Sequence, residues 1–163
     1  MTRCAFVGIG NRLRGDDAAG PLVIDRLRAA LLDGERFLLL DAGSAPENIT
    51  GVLRRFAPDF VLLVDAADLG LAPGSWQLLD PAVCTGLGSG HTMPLSALAR
   101  YLRMELGCSV RLLGIQPDST VFGEAVSTEV EQAVGDIGRW LAELACSDLG
   151  VLQRSSVHHA HNP

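Results

Sequence analysis

Histidine is nearly missing from the body of this 163-residue chain: His91 stands alone, and His158, His159 and His161 crowd into the last six residues. Imidazole chemistry must use His91 or that terminal cluster, and the cluster reads as part of a flexible tail. The four cysteines, Cys4, Cys84, Cys108 and Cys146, form no Cys-x-x-Cys pair, which argues against a disulfide framework and fits reduced, packed thiols in a cytoplasmic protein. Clustered basic residues are missing too. With a net charge of -6 and only short groups such as Arg54-Arg55, a nucleic-acid role is not expected. No apolar run is long enough to span a bilayer, and Met1 to Val7 enters a strand with no room for a signal peptide's apolar region, so no membrane insertion is expected.

Several catalytic signatures are also lacking. There is no Gly-x-Ser-x-Gly elbow, no Gly-x-x-x-x-Gly-Lys phosphate loop and no His-Glu-x-x-His helix. Gly8-Ile-Gly10-Asn-Arg-Leu13 begins like a dinucleotide loop, but Leu13 replaces the third glycine that lets helix and strand pack closely. Cys84 with His91 would make a nucleophile pair only if the thiol entered the ligand crevice, and nothing in the sequence requires that.

What is present is an ordinary core: 48% of residues are hydrophobic, enough for one domain at this length. Apolar runs of strand length occur at Cys4 to Ile9, Arg36 to Leu40, Phe60 to Val64, Ser75 to Leu79 and Val110 to Ile115. Several lack period-two alternation, as expected for strands buried on both faces. Helical patterns occupy Pro21 to Leu32, Glu47 to Arg55, Pro94 to Leu106 and Thr128 to Leu144. Asp16 or Asp17 is a reasonable start for the first, Gly107 a stop for the third, and Ser127 or Thr128 a cap for the last. The order βαβαββαβα predicts an α/β fold, a doubly wound, mostly parallel five-stranded sheet with helices on both faces and Ser75 to Leu79 as an antiparallel edge. The domain is expected to span residues 1–146, with 147–163 a flexible tail.

In such sheets the ligand crevice lies beyond the carboxyl ends of the strands, usually between the first and third. Asp16 and Asp17 follow the first strand by a short loop, and Asp65 ends the third, so the commonest strand order brings carboxylates from both together. His91, in the glycine-rich loop before the third helix, can reach the same crevice. Two carboxylates and one imidazole suit a divalent ion such as Ni, Zn, Mn or Fe, and ligand type does not choose among them. Each residue has a plainer reading: Asp16 or Asp17 as helix cap, Asp65 as an acceptor for loop amides, His91 as a solvated loop residue. Asp41 and Asp68, near the same strand ends, are candidates to support the site, or simple turn residues.

The blocks Gly8-Ile-Gly-Asn11, Gly15-Asp-Asp-Ala-Ala-Gly-Pro21, Gly43-Ser-Ala-Pro-Glu-Asn48, Val64-Asp-Ala-Ala-Asp-Leu-Gly-Leu71 with Pro73-Gly74, His91-Thr-Met-Pro-Leu95 and Leu113-Gly-Ile-Gln-Pro-Asp118 occur in this order over roughly residues 4 to 145. In them the chain resembles the maturation endopeptidases that process the large subunit of nickel–iron hydrogenases, most closely the formate-hydrogenlyase branch. The resemblance implies a phosphorylase/hydrolase-like three-layer αβα sandwich and a nickel-recognition site at Asp17, Asp65 and His91. It also implies Asp17 and Asp65 as the catalytic carboxylates and a hydrogenase large-subunit precursor as partner. Nickel would be supplied by that precursor rather than permanently bound, and the product would be a precursor shortened at its C-terminus. A monomer is expected. A non-catalytic nickel or precursor-binding chaperone on the same fold is the alternative, and a nucleotide-binding module a more distant one. The histidine-bearing terminus is not explained by the resemblance.

Overall fold

The strands are apolar on both faces, and simple alternation decides which residue meets which helix layer. In the computed structural model, which describes residues 1–31, 34–84, 93–154 and 158–159, the central strands are β1 (Cys4–Gly8), β2 (Phe37–Asp41), β3 (Phe60–Ala66) and β5 (Ser109–Ile115), with β4 (Trp76–Leu79) beside β5. The strand order is β2-β1-β3-β5-β4, extended at the edge by the two-residue β6 (His158–His159). β1 pairs in parallel with β2 and β3, β3 in parallel with β5, and β4 antiparallel with β5 and β6. The sheet is therefore doubly wound and mostly parallel, with β4 antiparallel as the sequence predicts and β6 lying beyond it at the edge.

Residues two apart along a strand share a face. Cys4, Phe6, Leu62, Val64, Leu113 and Ile115 pack in one core with α1 (Ala19–Ala30) and α4 (Thr128–Cys146). Ala5, Val7, Val61, Leu63, Val110 and Leu112 pack in the other with α2 (Thr50–Phe56) and α3 (Leu95–Leu106). Both faces are covered, which is why the strands carry no polar alternation.

Helix boundaries follow local chemistry. Gly107 ends α3 in the left-handed conformation, φ 65°, as a residue without Cβ can at little cost. The Ser127 hydroxyl accepts from the Val130 N–H at 3.4 Å and caps α4. The start of α1 differs from expectation. A short 3-10 turn, Gly15–Ala18, precedes it, and its N-cap is Ala18 with no side-chain cap bond. Asp16 and Asp17 thus do not cap the helix, because their oxygens are engaged elsewhere.

Two glycines seat that turn on the sheet. A Cβ on Gly20 would lie 2.3 Å from the Val64 carbonyl oxygen and 2.4 Å from that of Ile9, and one on Gly8 would lie 2.5 Å from the Gly20 oxygen. Only glycine permits this approach, so the first turn of α1 rests directly on the ends of β1 and β3.

The stretch expected to be a flexible tail holds regular structure at its beginning. α5 (Gly150–Arg154) follows α4, and Leu149 and Leu152 are buried in the α1/α4 core. Leu149 in the turn before α5 and Leu152 within it enter the same core, so this segment extends the core rather than trailing from it. Asp148 braces it, accepting from the Gly150 N–H and pairing with Arg154. Beyond it, the backbone of β6 pairs with Trp76 and Gln77 of β4.

Candidate active site at the carboxyl ends of the strands

The loop leaving β1 builds the first half of the site. Gly10 adopts φ 142°, and a Cβ there would stand 1.8 Å from the Asp17 carbonyl oxygen. The bare backbone therefore folds against the 3-10 turn. The Asn11 N–H donates to Asp17 Oδ2 at 2.8 Å, and Asn11 Oδ1 accepts from the Leu13 N–H at 2.9 Å, closing a small side-chain turn. Asp17 is buried in this nest of backbone.

Asp65 supplies the second half. It lies inside β3, is 1% exposed, and pairs in register with Gly114 of β5. The two acids are linked through a short path of backbone contacts. Asp17 packs on Gly10, and the N–H of the preceding Ile9 donates to the carbonyl of Val64 at 2.8 Å, one residue before Asp65. This is the β1/β3 switch point, where the connections of neighbouring strands leave toward opposite faces. Asp65 stands two residues beyond Leu63, on the face covered by α2 and α3.

His91 lies outside the described residues, as does the rest of the glycine-rich loop at 85–92. Among the described residues no three His, Cys, Asp or Glu side chains cluster as a metal site. Asp17, in the turn after β1, and Asp65, at the end of β3, are both buried beside the switch point; carboxylate oxygens are hard donors of the kind that divalent ions take.

The supporting acids have definite partners. Asp41 accepts from Arg12 Nε at 3.0 Å and, through its other oxygen, from the Gly43 N–H at 2.9 Å. Arg12 also forms a two-pronged pair with Asp25 at 2.7 and 2.9 Å. The hydrogen bond from Arg12 holds the Asp25 carboxyl below its ordinary value, and the guanidinium is pushed further toward its charged form. Arg12 thus ties the β1 loop to α1 and β2, while the Gly10 N–H donates to the Gly43 oxygen at 2.9 Å. Asp68 accepts from the Gly70 N–H and from Gln116 Nε2. Gln116 Oε1 accepts from the Leu69 and Leu71 N–H groups at 2.6 and 3.3 Å, so one side chain shapes the loop after Asp65.

Two features are not evident from the sequence. One is Asp16, the neighbour of Asp17, whose 1% exposed carboxylate faces the β5–α4 loop instead of the crevice. The other is an apolar rim: Leu13, Val121 and Phe122 are 63%, 56% and 66% exposed, and the Gly123 N–H donates to the Leu13 oxygen at 2.8 Å, joining their two loops. The Val121-Phe122 pair between turn residues is the sole sequence signal for it.

Two competing chemistries lose ground. Cys84 follows β4, whose antiparallel run carries the chain to the opposite end of the sheet, and its thiol donates to the Asp80 oxygen at 3.2 Å. Burial pushes that thiol up, away from the thiolate a nucleophile needs. A phosphate approaching the Gly8–Gly10 loop would meet the acidic Asp16-Asp17 turn, not the unencumbered helix N-terminus that binds anions.

Comparison with known proteins agrees with this architecture. Residues 21–146 match the model of a family described as hydrogenase maturation protease. That match begins just past the acid turn. The hydrogenase 3 maturation protease of Escherichia coli K12 is 38% identical over 128 residues, covering 77% of this chain and 80% of that protein. A crystal structure of a NiFe hydrogenase maturation protease from Thermococcus kodakarensis superposes with a TM-score of 0.83 at 35% identity, covering 90% of this chain and 94% of that one. The solution structure of an Escherichia coli endopeptidase gives 0.78 at 35% identity, covering 88% and 91%. With the strand order, the glycine-seated turn and these likenesses in agreement, the chain belongs to the hydrogenase maturation protease family, a family of peptide hydrolases.

Proposed function

We propose that this protein is the endopeptidase that removes a C-terminal extension from a hydrogenase large-subunit precursor after nickel insertion. What supports the reading is the burial of two acids, Asp17 in the turn after β1 and Asp65 at the end of β3, on a maturation-protease fold. Nickel enters as part of the substrate. Held by the precursor, it would accept Asp17, Asp65 and His91 in its open coordination positions, so a precursor lacking nickel would dock poorly. Recognition by shared coordination makes cleavage a checkpoint on metal insertion.

Hydrolysis adds one water across the scissile amide. Asp17, anchored through the Asn11 N–H, would take a proton from the water as its oxygen bonds to the scissile carbonyl carbon and return it to the amide nitrogen as the C–N bond breaks, releasing the C-terminal peptide as an amine. The apolar rim of Leu13, Val121 and Phe122 gives the precursor a footing beside the acid turn, together with the Gly43 to Asn48 loop and the Leu69 to Gly74 segment. The protein would act as a monomer in the cytoplasm, where its thiols stay reduced.

The test is mass spectrometry of purified nickel-loaded and nickel-free precursor after incubation with this protein. Loss of a C-terminal peptide from the loaded form alone is the expected result. Cleavage of both forms would remove the nickel checkpoint, and binding without cleavage would favour a precursor-binding chaperone.

A further inference from the structure

We infer that Asp16 is a positioning residue: by clamping the acid turn to the loop between β5 and α4, it sets where the Asp17 carboxylate stands. This inference rests on the reading of Asp17 given above.

The Asp16 carboxylate is saturated by one segment of chain. Oδ1 accepts from the Ser127 N–H at 2.7 Å. Oδ2 accepts from the Asp118 N–H at 2.8 Å, the Ser127 hydroxyl at 2.8 Å and, more weakly, the Ser119 N–H at 3.4 Å. Hydrogen bonds to an ionised acceptor are shorter and stronger than neutral ones. Main-chain bonds run alongside, from the Asp16 N–H to the Ser119 oxygen at 2.9 Å and from the Gly123 N–H to the Leu13 oxygen. Gly15, at φ 51°, lets the strands of this clamp touch, since a Cβ there would lie 2.7 Å from the Ser119 oxygen.

The turn needs such an anchor. It is a 3-10 segment of four residues, too short to fix its own position. At three residues per turn, consecutive side chains leave it about 120° apart. Asp16 can therefore face the β5–α4 loop while Asp17 faces the Asn11 N–H, and pulling on one rotates the other. An amide at position 16 would turn an NH2 toward N–H and O–H donors, so Asn is a poor substitute despite its shape.

The test uses the full chain with Asp16→Asn, the milder Ser127→Ala, and Ser127→Thr, which keeps the hydroxyl. The first readout is the Asn11 backbone amide resonance in proton–nitrogen NMR, because that N–H donates to Asp17; Asp17→Asn marks where the resonance falls without the carboxylate. The second is steady-state processing of nickel-loaded precursor, well below each variant's melting temperature. Asp16→Asn and Ser127→Ala should move the Asn11 resonance toward the Asp17→Asn position and lower kcat by about tenfold to a hundredfold, as small misplacements of a reacting group do. KM should hold within about twofold on the same ground, and Ser127→Thr should restore both readouts. An unmoved Asn11 resonance in Ser127→Ala, accompanied by a lower melting temperature, would make Asp16 a stability clamp and overturn the inference. If Asp16→Asn does not fold, Ser127→Ala decides. If the wild-type protein cleaves no precursor, the proposed function fails, while the Asn11 resonance still decides whether Asp16 positions its neighbour.

Discussion

Asp16 and Asp17 are adjacent, both acidic and both buried, yet a tight turn aims them at different neighbours. The proposed role of Asp17 depends on charge more than on shape. Asp17→Asn should therefore keep a melting temperature close to wild type while slowing precursor processing by about 10²-fold or more, the usual worth of a positioned general base; processing at the wild-type rate, followed by mass spectrometry, would sink the assignment. Gly10 is critical for a different reason. Its φ of 142°, and the mere 1.8 Å that would separate an added methyl from the Asp17 carbonyl oxygen, leave no room for alanine. Gly10→Ala should cost about 2–4 kcal/mol in urea unfolding, and the same displacement should impair processing.

At the level of the elements, the crevice is built by connections that pin one another. Arg12 joins the β1 loop to Asp25 of α1 and Asp41 of β2. Because Arg12 lowers the Asp25 carboxyl below its ordinary 3.8, the pair contributes stability above that value and loses it as the pH falls through the folded one. Both side chains are more than a third exposed, 41% and 43%, so the contribution is discounted to under about 1 kcal/mol. Asp25→Asn should lower stability by that small amount at neutral pH, with the difference shrinking below pH 3.8; a gap that widened in acid would contradict the sign. α5 offers a larger effect. Leu152 is fully buried against the α1/α4 core, and Leu152→Ala should cost about 2–5 kcal/mol in chemical denaturation. A flexible tail would show no change.

Over the whole molecule, the two cores shield most of the cysteine chemistry. Cys4 and Cys108 are buried, Cys84 is half-buried, and all three thiols are pushed up chiefly by desolvation, whereas Cys146 is exposed at the end of α4. Brief treatment of the folded protein with iodoacetamide near pH 8 should add one carbamidomethyl group, at Cys146, as peptide mapping would show. Rapid labelling of Cys4 would mean that the β1 core opens far more readily than its packing implies.

Much of this architecture is written in local pattern. The apolar runs, the Gly107 stop, the Ser127 cap and the βαβαββαβα order are properties of neighbouring residues, and they were enough to specify a doubly wound sheet and to point to its carboxyl edge. Strand ends can be located in sequence, so the acids after β1 and at the end of β3 were legible as candidates for the same reason; pattern alone left Asp16 and Asp17 equivalent, and only the family resemblance singled out Asp17. The partner of Asp16 was not legible, because Asp118 and Ser127 lie more than a hundred residues away and meet it only when β1 and β5 share a sheet. Nor did the polar composition after Ser147 reveal that Leu149 and Leu152 would find an open place in the core. Short-range periodicity determined the elements and their order; the tertiary structure alone decided which of two neighbouring carboxylates became a clamp, because hydrogen-bond partners across the sheet are assigned by packing and not by distance along the chain.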